Sequence, residues 1–167
     1  TDTPTPEPSN TPSPTATPQP TLTPTPYSEY QSHRGTGNSV IDVDPYTGPA
    51  ALHVLGNESG SHFAVKSFGL DNEKLDTLVN TTDPYDGSTI INLRNYNKVR
   101  RLQVTASGEW RVEVIPLMDT KYSSQYLLTV PGVEEGNGDD LILLNGQTPD
   151  LAHISGNQGG RHFAVKA

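Results

Sequence analysis

A block of fifteen residues recurs one hundred positions along the chain, and no other feature limits the fold as tightly. Residues 52–66 (Leu-His-Val-Leu-Gly-Asn-Glu-Ser-Gly-Ser-His-Phe-Ala-Val-Lys) return as residues 152–166 (Ala-His-Ile-Ser-Gly-Asn-Gln-Gly-Gly-Arg-His-Phe-Ala-Val-Lys). His53, Gly56, Asn57, Gly60 and every residue from His62 to Lys66 are repeated at their number plus one hundred. Self-similarity at a fixed period marks a tandem array of one small unit, which must close its core within a period of about a hundred residues. The second copy reaches Ala167, whereas the first runs on to about Leu117. The expectation is one complete module, the first half of a second, and any signal or anchor outside this chain.

Residues 1–26 cannot belong to either module. Nine of the 15 prolines lie there, in repeated Thr-Pro steps, and Leu22 is the only large apolar residue. Proline fixes φ and removes an amide donor, so neither helix nor sheet ladder can form. With nothing apolar to bury, the segment is expected to be a disordered, extended linker of the polyproline II type. Its threonines offer sites for O-linked sugars. At about 3 Å per residue it would hold a module several nanometres from an anchor.

Charge excludes some partners. Asp and Glu total 19 against 11 Lys and Arg, a net charge of −8. Only Lys98, Arg100 and Arg101 gather into a basic group, so a nucleic-acid surface is not expected. Attraction to an anionic membrane is disfavoured for the same reason, and no apolar run reaches spanning length. The absence of cysteine rules out disulfides, thiolate metal sites and thiol nucleophiles.

From residue 27 onward no window has a helical period. Short alternating runs between turn residues predict strands near Ser39–Val43, Ala50–Leu55, Ser61–Phe68, Leu75–Asn80, Ser88–Leu93, Arg100–Thr105 and Glu109–Ile115. About seven short strands in about ninety residues suit an all-β, antiparallel two-sheet sandwich. In Arg100–Ile115, Leu102 and Val104 alternate with polar residues, and so do Trp110, Val112 and Val114 beyond the turn Ala106-Ser107-Gly108. That pattern predicts a β-hairpin over a core, with Trp110 inside it. The repeated block reads as a second hairpin, turning at Gly56–Gly60, with Phe63 and Val65 inward and His62, Ala64 and Lys66 outward. Asn137–Leu144 parallels Thr36–Val43, so the second copy opens near Tyr126–Val130. The expected organisation is linker 1–26, sandwich module 27–117, connector 118–124, and half-module 125–167. Half a sandwich leaves its apolar face bare, so residues 125–167 are expected to be poorly ordered or to dock on the first module.

The string Phe63-x-Val65, Leu78-Val79-Asn80, Tyr85-x-Gly87, Leu102-x-Val104-x-Ala106-x-Gly108-x-Trp110-x-Val112-x-Val114 resembles uncharacterised tandem β-sandwich modules of exported bacterial proteins that sit behind Thr/Pro-rich linkers. More loosely, it is similar to the pre-peptidase C-terminal domains of secreted proteases. The resemblance implies an all-β accessory module outside the cytoplasm without catalysis. It carries no site residues over.

Candidate sites are few. His53 and His62, with His153 and His162 in the second copy, are potential ligands on strands expected to be adjacent. A zinc site needs a third protein ligand, and Glu58 becomes Gln158 in the second copy, so no metal or other cofactor is expected. Ser61 beside His62 lacks the strand-to-helix turn of a nucleophile elbow, and no enzymatic activity is expected. Two turns, Asp44-Pro45-Tyr46-Thr47-Gly48 and Asp83-Pro84-Tyr85-Asp86-Gly87, would show Tyr46 and Tyr85 to solvent beside Asp83 and Asp86. Glycan stacking is the chemistry that arrangement suits. Asn137-Gly138-Asp139-Asp140 is oxygen-rich but lacks EF-hand spacing and reads as a plain turn. Asn57-Glu-Ser59 and Asn80-Thr-Thr82 fit the N-glycosylation pattern, a short motif common by chance. The expected role is a non-catalytic module at a cell surface or in a secreted protein, serving adhesion, glycan or cell-surface ligand binding, or spacing. The alternative is an accessory or sensor domain of an exported hydrolase or receptor kinase whose catalytic domain lies elsewhere.

Overall fold

The structure, a computed structural model, describes residues 1, 30–44, 48–93, 98–136, 138–146, 151–156, 164 and 165. Apart from Thr1, the Thr/Pro linker lies outside these residues, as do Tyr46 and His162. Eight strands form the first module: β1 (Gln31–Thr36), β2 (Ser39–Asp42), β3 (Ala50–Gly56), β4 (Phe63–Phe68), β5 (Lys74–Thr81), β6 (Tyr85–Ile91), β7 (Arg101–Thr105) and β8 (Glu109–Pro116). They make two antiparallel four-stranded sheets, ordered β1-β8-β3-β6 and β2-β7-β4-β5. β2 to β8 are the expected strands with ends moved by a few residues.

β1 carries no apolar residue, so alternation could not reveal it. Its ladder with β8 makes it a strand, and Gly35 makes room for it, because a Cβ there would run into the Trp110 indole.

Both expected hairpins are corrected. β7 pairs with β2 and β4, and β8 with β1 and β3. β3 pairs with β6 and β8, while β4 pairs with β5 and β7. Each turn is therefore an arch that carries the chain from one sheet to the other. Alternation places apolar residues against a core, and an arch satisfies it as well as a hairpin does. The four arches β1–β2, β3–β4, β5–β6 and β7–β8 each join strands at matching positions in the two sheets. By the antiparallel register all four lie at one end. Among the described residues only β4 and β5 are joined by a hairpin, through a turn in which Gly69 N donates to Glu73 O at 3.0 Å.

The arches are tied in pairs. Gly37, at φ +73°, donates its N–H to Gly108 O at 3.0 Å, and Asn38 Oδ1 accepts from Ala106 N at 3.1 Å, linking arch β1–β2 to arch β7–β8. Trp110 Nε1 donates to Gly37 O at 2.9 Å in the same place. Asn57, at φ +63° and buried, does this for the other pair. Its Nδ2 donates to Asp83 O at 2.8 Å in arch β5–β6, and its Oδ1 accepts from Ser61 N at 2.9 Å. The repeated Asn is thus a tie between arches.

Phe63, Val65, Leu52, Val54, Leu102, Val104, Val112 and Val114 are fully buried between the sheets, with Trp110 beside them. Burial of each such side chain is worth about 1.5–3 kcal/mol. Ala64, expected to face outward, is nevertheless buried, flanked in the ladder by Asn80 and Thr105.

Residues after Pro116 turn onto the outer face of the β1-β8-β3-β6 sheet. The expected connector 118–124 includes one helical turn, α1 (Thr120–Ser123), whose Asp119 Oδ1 accepts from Lys121 N at 2.9 Å. A 3₁₀ turn, Ser124–Tyr126, leads into β9 (Leu127–Val130), which pairs in parallel with β10 (Leu143–Gly146). Tyr126, Leu141 and Leu143 pack on Ala51 and Ile115, and Ser88 N donates to Asp139 O at 2.9 Å across the β6 edge.

Candidate functional site

That outer sheet face carries a linked group of polar side chains. His53 points outward from β3 between its neighbours on β8 and β6. Its Nδ1 lies 3.3 Å from Glu113 Oε2 and its Nε2 2.8 Å from Asp86 Oδ1. Glu113 Oε1 also accepts from Tyr30 Oη at 2.6 Å and lies 3.5 Å from Arg111 Nε. Burial alone would raise the Glu113 pKa. The Tyr30 hydrogen bond, the Arg111 charge and His53 outweigh it and hold the carboxyl below its ordinary value. Tyr30 is pushed up by burial and by its bond to Glu113.

The Tyr30 ring stacks on Tyr122 with centroids 5.8 Å apart, and Lys121 Nζ sits 4.7 Å from the Tyr122 centroid. Tyr30, Glu113 and Ile115 on one side and Tyr122, Ser124 and Gln125 on the other enclose a groove of about 270 Å³. A second, more open groove of about 480 Å³ lies at the free β1/β2 edge and includes His33 and Trp110. His33 Nε2 is buried without a hydrogen-bond partner.

Of the expected site residues, the structure brings His53 and Asp86 together, at 2.8 Å, and separates His53 from His62. His53 and His62 belong to opposite sheets, because the arch separates the strands that were expected to be adjacent. His62 lies just before β4 with its Nε2 3.2 Å from Asn80 Oδ1. Among the described residues no three His, Cys, Asp or Glu side chains gather into a metal-binding group. Ser88 stands opposite His53 in the β3–β6 ladder, but its side chain hydrogen-bonds Tyr126.

Tyr85 is not displayed to solvent as expected. Its ring is half-buried 6.4 Å from Phe63, and its Oη donates to Asp139 Oδ2 at 2.8 Å. Burial first, then that bond and the charges of Asp139 and Asp86, push its pKa well up. The proline turn satisfied turn chemistry, but the following residue begins β6 and so falls in register with the core. Asp83 offers its backbone carbonyl to Asn57, and Asp86 is exposed against His53. Tyr46 lies outside the described residues.

Sequence reasoning missed Tyr30, Tyr122 and Glu113. Glu113 had a readable signal as an outward position of β8. Tyr30 had none, since it precedes a strand without apolar residues.

Comparison with family models, with curated proteins and with solved structures returns no match.

Proposed function

We propose that this chain is a non-catalytic, extracytoplasmic β-sandwich repeat unit. A Thr/Pro linker holds it away from its anchor, and it serves spacing and presentation within a larger surface or secreted protein. The observation that carries this reading is the use made of the repeated residues. Asn57 ties arches, Phe63 and Val65 fill the core, and a Cβ on Gly56 would press closely on Phe63 and Trp110. These repeated residues serve folding, as a spacer needs. His53, Asp86, Glu113 and Tyr85 are engaged with one another or with neighbouring segments.

A second reading is favoured by the stacked Tyr30–Tyr122 pair. Two rings beside a carboxylate and an ammonium are the elements that capture a sugar. A glycan array probed with the full chain separates the readings. Spacing predicts no binding above background. Binding that Tyr122→Ala abolishes would replace spacing with glycan capture at this groove.

A further inference from the structure

Three features of β1 oppose its pairing with β8. None of its residues is a large apolar one, and Gln31, His33 and Gly35, on its inward side, are only half-buried. His33 Nε2 is buried without a hydrogen-bond partner, a cost that water would relieve if the strand came away. Arg34 stands directly opposite Arg111 in the ladder, and like charges so placed repel. Glu113 offsets Arg111 at 3.5 Å, while Arg34 has no counter-ion among the described residues. The strand is fastened at its two ends instead. At the arch, Gly37 N donates to Gly108 O and Trp110 Nε1 to Gly37 O. At the entry, Tyr30 Oη donates to Glu113 Oε1 and the Tyr30 ring stacks on Tyr122 in the connector.

The same contacts bring the chain into the module and out of it at one corner. Gln31, the first residue of β1, pairs with Val114 near the end of β8. Tension along the chain pulls these two ends apart at that corner. Antiparallel ladder bonds run perpendicular to the strands, so the pull loads them one after another, from Gln31 toward Thr36. We propose that β1 is a releasable strap: when the Thr/Pro linker is pulled, the Tyr30 contacts open and residues 31–36 peel from β8 before the rest of the module yields. The tie at Gly37 ends the peeling. The tether lengthens by about 4 nm, at about 3.4 Å per residue for the freed strand and for the stretch of β8 it had lain along. Peeling also uncovers Trp110, whose indole lies against Gly35. The strap takes its purpose from the spacing role, but its mechanics are measured with no ligand present, whereas failure of the spacing role shows as glycan binding.

The chain has no cysteine, so thiol handles for single-molecule pulling are unambiguous in the full chain. Thr1→Cys with Met118→Cys loads the β1–β8 ladder as a zipper. Thr1→Cys with Ser107→Cys draws the same two strands past each other, so that all six paired residues share the load. The zipper geometry is expected to give a first step of about 4 nm, at a severalfold lower force than the first step in shear. Arg34→Glu converts the repulsion opposite Arg111 into an attraction and should raise the zipper force, and Tyr30→Ala should lower it. Native-state amide exchange in the unpulled chain is the second measurement. Amides of β1 bonded to β8 should exchange through an opening of their own, faster than those of β3, and more slowly in Arg34→Glu. Equal first-step forces in the two geometries would overturn the proposal, and so would β1 amides that exchange only when the whole module opens.

Discussion

Replacement of Asn57 by alanine tests whether the repeated turn is an inter-arch tie. The substitution removes the donor to Asp83 O and the acceptor for Ser61 N, each worth about 1 kcal/mol net. It also leaves a Cβ residue at φ +63° without the local hydrogen bonding that lets Asn occupy the left-handed region, a further cost of about 1 kcal/mol. The expected loss is about 3 kcal/mol, which in a domain of this size lowers Tm by about 12–24 °C. Asn57→Gly loses the same bonds but relaxes the backbone, so it should cost about 2 kcal/mol. Urea unfolding followed by fluorescence of the single, buried Trp110 measures both. An alanine variant within about 0.5 kcal/mol of the parent, as for an ordinary surface residue, would refute the tie. So would a glycine variant less stable than the alanine variant.

Four further outcomes are expected. Gly35→Val should drive β1 off β8 and shift Trp110 emission to the red, because the indole fills the space above Gly35. The lowered Glu113 pKa contributes stability above its unfolded value near 4.5, lost as pH falls through the lower folded value; Glu113→Gln should flatten the acid limb of stability against pH. The raised Tyr85 pKa acts in the opposite direction. Its contribution is complete below the unfolded value of 10.0 and is lost as pH rises beyond it, so Tyr85→Phe should weaken the alkaline limb in the same titration. A chain ending at Leu117 should still unfold cooperatively, at a cost of about 1.5–3 kcal/mol for removing Tyr126 from Ala51 and Ile115. Non-cooperative melting would place the module boundary elsewhere.

The alternation of Leu102, Val104, Trp110, Val112 and Val114 made their strands and inward faces readable, because period-two burial is written directly in residue type. Three things were not readable, each for a physical reason. β1 is all polar and owes its conformation to the β8 ladder. The sheet partner of each strand is a long-range property, and the turns at Gly56–Gly60 and Ala106–Gly108 suit hairpin or arch alike. The His53–Glu113–Tyr30 group joins β3, β8 and the residue before β1, so it exists only once strand order is known. Tyr85 was legible as a turn residue, but its packing on Phe63 and its bond to Asp139 come from the arch and from a segment 54 residues further along the chain.

The repeated block closes the sandwich by an arch and does not form a two-histidine hairpin site. Backbone NOEs in the full chain test it most directly. Cross-strand NOEs are expected from β3 to β6 and β8, and from β4 to β5 and β7, with none joining β3 to β4. A ladder of NOEs between Leu52–Leu55 and Phe63–Lys66 would contradict it.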